Sequence, residues 1–347
     1  MQVKQQVATA AFPVALEPSM PRDGCRLLIA RRSGSAAEHI YFREIIKFFK
    51  PGDCLVVNMS RVFPARIPFW IGEKKGDLLL GGLPKTNGAA LAKLESRHAR
   101  RLSKNNGRVR FQDGSEGRIQ ITGFDEANGA YQITIETKSP WEALGEVPLP
   151  PYIVRSRKAA GFPELTPEDV ERYQCVYASV PGSAACPTAG LHWTDQLLDE
   201  LRGRGVTVAR VVLHVGFASI VHGVGRDRVP VEEMAITSEE AEMINKVKTG
   251  GGRVFACGTS VVRALESAAD EAGSLKPAEG PTELFIRPGH RFRIVDAMIT
   301  NFHLPESTNF LMTQAFLGDA LNLEKLYQEA AGKGYRFYSY GDAMLIL

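Results

Sequence analysis

The chain reads as an α/β protein, a larger α/β domain interrupted by a small antiparallel β-barrel domain. Three observations predict this. Strand-length apolar runs alternate with helix-length amphipathic segments toward both ends of the 347 residues. Between about Pro68 and Glu146 the texture changes to short alternating runs (DLLLGGL, GRVRFQ, EGRIQITGF, AYQITIET), separated by turn signals at Asn105-Asn106-Gly107, Asp113-Gly114 and Asn128-Gly129. Near Pro148 the α/β texture returns. The expected boundaries are 1–67 and 148–347 for the α/β domain and 68–147 for the insertion.

In order, residues to about 24 read as a loose lead-in and Cys25–Arg32 as a strand. IYFREIIKFFK reads as a short amphipathic helix stopped by Pro51-Gly52-Asp53. Cys54–Val57 reads as a buried strand running into a polar turn with Asn58, Ser60, Arg61 and Arg66. In the insertion no helix is expected. Lys93–Arg118 concentrates Arg100, Arg101, Lys104 and Arg108 among few acids, which is either a solvated charged face or a phosphate-contacting patch. PLPPYI (Pro148–Ile153) reads as a rigid, extended crossing, and Thr166 as the cap of a short helix.

Tyr173–Thr194, YQCVYASVPGSAACPTAGLHWT, is too apolar for a solvated loop and too rich in Gly, Pro, Ser and Thr for a regular element. It is either a tight connection or a segment built for close backbone approach to a ligand. Thr194 can cap the helix beginning at Asp195, and Val206–Val215 reads as a strand ending at His214-Val215-Gly216. Ser238–Gly252 reads as a Ser-capped helix. RVFACGTSVVRALESAA reads as strand, turn and helix, with Gly258-Thr259-Ser260 at a helix N-terminus that favours an anion; a Ser cap explains Ser260 equally well. ITNFHLPEST is a further strand end carrying Thr300, Asn301 and His303, and the chain closes on a helix and a strand.

The composition, 44% hydrophobic and 23% charged, is that of an ordinary globular protein, and a net charge of +3 does not by itself announce a nucleic-acid partner. No apolar run is long enough to cross a bilayer, and no secretion signal is read at the N-terminus. The five cysteines are odd in number and lack a CxxC pair, which argues against a disulfide framework or zinc site and for the cytoplasm. His192, His214, His222, His290 and His303 show no metal-ligand spacing, and there is no GxGxxG, Walker or GxSxG motif. What remains is four polar strand-to-turn junctions, at Asn58–Arg66, His214–Gly216, Gly258–Ser260 and Thr300–Thr308. In a right-handed α/β sheet these share one edge and form a ligand cleft, with Tyr173–Thr194 over it.

Several segments resemble the signatures of the S-adenosylmethionine:tRNA ribosyltransferase-isomerase family. They are PGSAACPTAGLHWT, VVLHVGF, GTSVVRALESAA, TELFIRPGHRFRIVDAMITNFHLPEST and YRFYSYGDAMLI, supported by the PGD-x-LVVN-x-SRVFPARI segment and PLPPYI. The resemblance implies transfer and isomerisation of the ribosyl part of S-adenosylmethionine onto 7-aminomethyl-7-deazaguanine in tRNA, giving epoxyqueuosine, adenine and methionine. It implies S-adenosylmethionine as co-substrate, no metal or other cofactor, tRNA as partner, and a monomer. On that basis His214, His303 and Glu233 are the expected catalytic residues. Asn58, Arg61, Arg66, Thr188, Gly190, His192, Gly258, Thr259, Ser260, Arg263, Thr300 and Asn301 are expected to bind S-adenosylmethionine, and Arg100, Arg101, Lys104 and Arg108 tRNA.

The chain departs from the family pattern at Met59 and Ser60 (Asp and Thr in the family), at Glu146 (His), at Cys186 (a small Ala) and at Ala218-Ser219-Ile220. In the 229–236 segment only Glu233 matches. A paralogue with a different acceptor and a non-catalytic tRNA-binding relative are the alternative readings.

Overall fold

In this computed structural model the described residues are 12–216 and 229–347, apart from 33, 35 and 127. Ala218-Ser219-Ile220, His222 and the first part of the lead-in lie outside them. A mixed nine-stranded sheet is built from β1 (Arg26–Ala30), β2 (Glu38–Tyr41), β3 (Cys54–Asn58), β12 (Thr207–Leu213), β13 (Glu232–Ile236), β14 (Val254–Cys257), β15 (Ala278–Thr282), β16 (Ala297–Asn301) and β17 (Ala343–Ile346). Their order is β15-β13-β12-β3-β14-β16-β17-β1-β2.

Strands β3, β14, β16 and β17 are buried at every residue. Their apolar runs are continuous rather than alternating because both faces of the sheet are covered. Period-2 alternation then sorts the side chains between two core layers. Cys54, Val56, Val254, Ala256, Met344 and Ile346 fall in one layer. Leu55, Val57, Phe255, Cys257, Ala343 and Leu345 fall in the other.

A second sheet is a closed antiparallel ring of six strands, β5 (Arg66–Ile71), β6 (Lys74–Leu80), β7 (Ala89–Leu94), β8 (Arg108–Phe111), β9 (Glu116–Asp125) and β10 (Ala130–Glu136), in the order β10-β7-β6-β5-β8-β9. A helix that the sequence reading did not expect, α1 (Ser96–Lys104), lies between β7 and β8. His98, Ala99 and Leu102 turn inward from it, while Arg97, Arg100 and Lys104 are exposed and Arg101 is half-buried. Only three of its nine residues face the core, so its short apolar stripe is swamped by charge in a sequence scan.

Three further expectations are corrected. IYFREIIKFFK is not an α-helix: its start belongs to β2, and Phe42–Phe48 is a 3₁₀ helix that buries Phe42 and Ile45 at the three-residue spacing of that helix. PLPPYI is extended only to Pro150. From Pro151 the chain enters helix α2 (Pro151–Ala159), where proline at the first position loses no hydrogen bond. The turn after Asn58 is strand β4 (Ser60–Val62), paired in parallel with β11 (Val180–Ser183) from inside Tyr173–Thr194. That segment therefore does contain regular structure, including a 3₁₀ turn at Thr188–His192.

The remaining α-helices among the described residues are a single turn at Trp141–Leu144 and α3 (Pro167–Arg172), α4 (Asp195–Gly203), α5 (Ser238–Thr249), α6 (Thr259–Ser267), α7 (Thr308–Leu317) and α8 (Ala320–Gly332). The Thr194 hydroxyl caps α4, accepting from the Leu197 N–H at 3.2 Å. Thr237, not Ser238, caps α5. No helix among the described residues is long and apolar enough to cross a membrane.

Candidate functional site

Strands β12, β3, β14 and β16 run parallel to one another, so their carboxyl ends share one edge, as the four junctions require. Strand β17 is antiparallel to β16, with Ala343 opposite Asn301, which brings the preceding segment around Tyr338 to the same edge. A cleft opens there, about 1020 Å³ with its open mouth included. Its lining includes the expected residues Thr188, Gly258, Thr259, Ser260, Arg263, Thr300, Asn301 and His303, together with Cys186.

Helix α6 points its N-terminus into this cleft. The residue before it is Gly258, at φ 98°, a conformation that favours glycine, and it offers no side-chain cap. The Val261 N–H donates to the Gly258 carbonyl at 3.1 Å, which leaves the Thr259 and Ser260 N–H groups at the start of α6 for a ligand. Ser260 is not the cap: its hydroxyl accepts from Asn58 Nδ2 at 3.1 Å. Asn58 is fully buried and otherwise occupied with backbone, donating to the Leu213 carbonyl at 2.8 Å and accepting from the N–H groups of Leu213 at 3.1 Å and Ser60 at 3.0 Å. It is a brace beneath the cleft and does not line it.

The chain brings a buried ion pair to the wall. Arg263 (7% exposed) contacts Glu232 (5%), whose other oxygen accepts from the Gly216 N–H at 2.8 Å. Burial lowers the Arg263 guanidinium to about 10, and its Nε has no hydrogen-bond partner among the described residues. The carboxylate facing the cleft is therefore Glu232, whereas the expected Glu233 is exposed on the opposite face of β13. A one-residue offset in a strand reverses the side. The alternation of Glu232, Met234 and Ile236 was the signal that would have placed Glu232 inward.

The histidines separate by environment. His303 lines the cleft and shares a 2.7 Å hydrogen bond between Nε2 and Thr300 Oγ1. Its backbone N–H donates to Tyr327 at 2.9 Å, and burial pushes the imidazole down to about 4, so it is neutral near pH 7. His192, 3% exposed, is pushed down to about 3 by burial and contacts Cys25 Sγ at 3.2 Å and Asn301 Nδ2 at 3.3 Å. Accepting from Asn301 through Nε2, it fixes the amide so that the Asn301 oxygen accepts from Thr188 Oγ1 at 2.9 Å. His192 thus supports the wall from behind. His214 is outside the cleft lining; its Nδ1 pairs with Ser60 Oγ at 2.7 Å, Ser60 with Ser183 at 2.6 Å, and Ser183 accepts from the Val215 N–H at 2.9 Å.

The other expected residues are not brought to the cleft. Gly190 packs so tightly that a Cβ would strike the Tyr177 hydroxyl and Cys175. Arg61 is exposed on β4, and Arg66, on β5, pairs with Asp77 at 3.3 Å. Arg100, Arg101 and Lys104 are on α1, with Arg108 exposed on β8. Residues missed by sequence reading are the aromatic ones, Tyr152, Tyr173 and Tyr338, which also line the cleft. Their apolar bodies make them indistinguishable from core in the sequence. Among the described residues no cluster of His, Cys, Asp or Glu is arranged to hold a metal ion.

The chain matches known proteins along almost its whole length. The family model described as queuosine biosynthesis protein matches residues 11–346. The S-adenosylmethionine:tRNA ribosyltransferase-isomerase of Symbiobacterium thermophilum is 40% identical over 350 residues, covering 96% of each chain. That of Moorella thermoacetica is 41% identical over 347 residues, again with 96% of each covered. A crystal structure of S-adenosylmethionine tRNA ribosyltransferase from Thermotoga maritima is similar with a TM-score of 0.53 at 29% identity, covering 96% of both chains. With matching segments running through the sheet, the ring and every cleft-forming junction, the chain belongs to the queuosine biosynthesis protein family.

Proposed function

We propose that this protein is an S-adenosylmethionine:tRNA ribosyltransferase-isomerase. It transfers the ribosyl moiety of S-adenosylmethionine to the aminomethyl group of 7-aminomethyl-7-deazaguanine in tRNA, giving epoxyqueuosine with release of adenine and methionine. The observation that carries this reading is the convergence of a helix N-terminus, a neutral imidazole and a buried guanidinium on one cleft, in a chain about 40% identical to relatives so named over 96% of its length.

The chemistry asks for a base. The sulfonium acidifies the adjacent 5′ C–H; its removal lets adenine leave as the sugar opens, the amine adds, and closure of the epoxide expels methionine. His303 suits the base role better than His214 because it lines the cleft; burial keeps it neutral and so able to take a proton, while making it a weaker base than a free imidazole. For Nδ1 to take the proton, Nε2–H must donate to Thr300. The α6 N-terminus supplies positive potential for anionic parts of the co-substrate or charge developing on a leaving group, while the charge of Arg263 is balanced by Glu232. Arg100, Arg101 and Lys104 of α1, with Arg108, are the proposed tRNA phosphate contacts. We further propose a division at 1–67, 68–147 and 148–347, with the ring as an inserted barrel domain, and a cytoplasmic monomer. Five free cysteines fit a reducing compartment.

The test is incubation with S-adenosylmethionine and tRNA carrying the aminomethyl-deazaguanine, followed by mass spectrometry. Adenine and methionine released in equal amounts, only when that tRNA is present, is the expected result; no release with it refutes the reading. Cys186 in the cleft wall favours a second reading, a relative that uses S-adenosylmethionine with another acceptor. Release with small amines or the free deazapurine would support it.

A further inference from the structure

The β16/β17 end of the cleft is built differently from the α6 end. Strands β14 and β17 are two positions apart in the sheet, so these ends are separated by roughly 10 Å. Tyr152, Tyr173, Phe302 and Tyr338 line the former. The Tyr152 and Tyr338 rings lie 5.3 Å apart, tilted by 54°. Tyr152 meets Ser339 through its hydroxyl, which also accepts from the Ser339 N–H at 3.2 Å. Tyr338 is the exception. It is 3% exposed, and its hydroxyl has no hydrogen-bond partner among the described residues.

Tyr338 also has φ 70°, in the left-handed region that a bulky residue rarely adopts. The turn holds it there. The Tyr338 N–H donates to the Phe302 carbonyl at 3.1 Å and its carbonyl accepts from Gly341 at 3.0 Å. Asp342 pins the flanks, accepting from the Arg26 N–H at 2.9 Å and the Arg336 N–H at 2.8 Å. An orphaned donor and a strained backbone both cost folding free energy, and both fall on one residue facing the cleft. Packing alone would be served by phenylalanine at this position, without the orphaned hydroxyl.

We infer that this aromatic recess holds a planar heteroaromatic ring, with the Tyr338 hydroxyl donating to an acceptor on that ring. Burial raises the phenol well above its ordinary value, so it remains a donor throughout the working pH range. The inference rests on the proposed reaction, which offers two rings of this kind, the adenine of S-adenosylmethionine and the deazaguanine of tRNA.

The test is Tyr338→Phe in the full chain, measuring thermal stability, S-adenosylmethionine affinity by calorimetry, and the KM for modified tRNA. Wild-type protein that fails to turn over S-adenosylmethionine with that tRNA overturns the proposed function, and this inference with it. With an active wild type, the variant is expected to melt at the same or a higher temperature, since it loses only an unpaired donor. A roughly 10-fold weaker S-adenosylmethionine affinity assigns the recess to adenine. A roughly 10-fold higher tRNA KM at unchanged S-adenosylmethionine affinity assigns it to the deazaguanine. If both constants stay within twofold of wild type, or if the melting temperature falls while they are unchanged, the hydroxyl serves packing and the inference is overturned.

Discussion

The Arg263–Glu232 pair makes a sharp prediction because both partners are buried, at 7% and 5% exposure. Replacing Glu232 by alanine strands the guanidinium without its counter-charge, which costs about 3–5 kcal/mol. It also removes the acceptor of the Gly216 N–H, adding roughly 1 kcal/mol. Glu232→Gln keeps a neutral acceptor for both groups, so its cost is smaller, about 1–3 kcal/mol. Arg263→Met in the Glu232→Ala background removes the stranded charge, so the double variant is expected to be more stable than Glu232→Ala alone. Glu233→Ala, on the exposed face of the same strand, is the control and should change stability by no more than about 0.5 kcal/mol. Urea unfolding of the five proteins, wild type included, with unchanged m-values, measures all of this. A Glu232→Ala cost below about 1 kcal/mol, or a double variant no more stable than Glu232→Ala, would refute the view that the pair is a buried unit in the cleft wall.

Three further outcomes follow from the geometry. His303 is held at about 4 against an ordinary 6.5. Its folded pKa is depressed, so the unfolded chain binds the proton first, and stability present above pH 6.5 is lost as pH falls toward 4, by up to about 3 kcal/mol. His303→Gln should flatten that part of a pH-dependent unfolding series and, if His303 is the base, abolish turnover; full turnover with an unchanged pH profile removes it from the mechanism. Charge reversal at Arg100, Arg101 and Arg108 should weaken tRNA binding and lower the salt slope by about 1 for each phosphate no longer neutralised, read from binding isotherms at several salt concentrations. Unchanged binding excludes this face. Gly190→Ala should cost about 1–3 kcal/mol in chemical denaturation, because the added methyl meets Tyr177 and Cys175 in a packed interior; a neutral result would show that the 3₁₀ turn yields.

What the sequence alone determined was the order of elements and the sheet edge at which the cleft opens. Periodicity is a local property, so the buried strands ending at Asn58, Cys257 and Asn301 were readable residue by residue, and chirality of the crossovers placed their ends together. The long segments shared with the family were legible for the same reason. Local pattern was weakest where two states compete over few residues: at Phe42–Phe48, which became a 3₁₀ helix, and at Pro151, which begins a helix. Only the tertiary structure decided which polar groups face the cleft. Asn58, Gly190 and His192 look like ligand-binding residues in sequence, yet their groups are spent on bracing and close packing behind it. Glu232 and Tyr338 look like a surface acid and a core aromatic, yet both line it. Whether a polar or aromatic group is satisfied by the protein or left for a ligand depends on partners more than a hundred residues away in the chain, such as Asn301 for His192. Those partners are set by strand order and packing and by nothing in the local sequence.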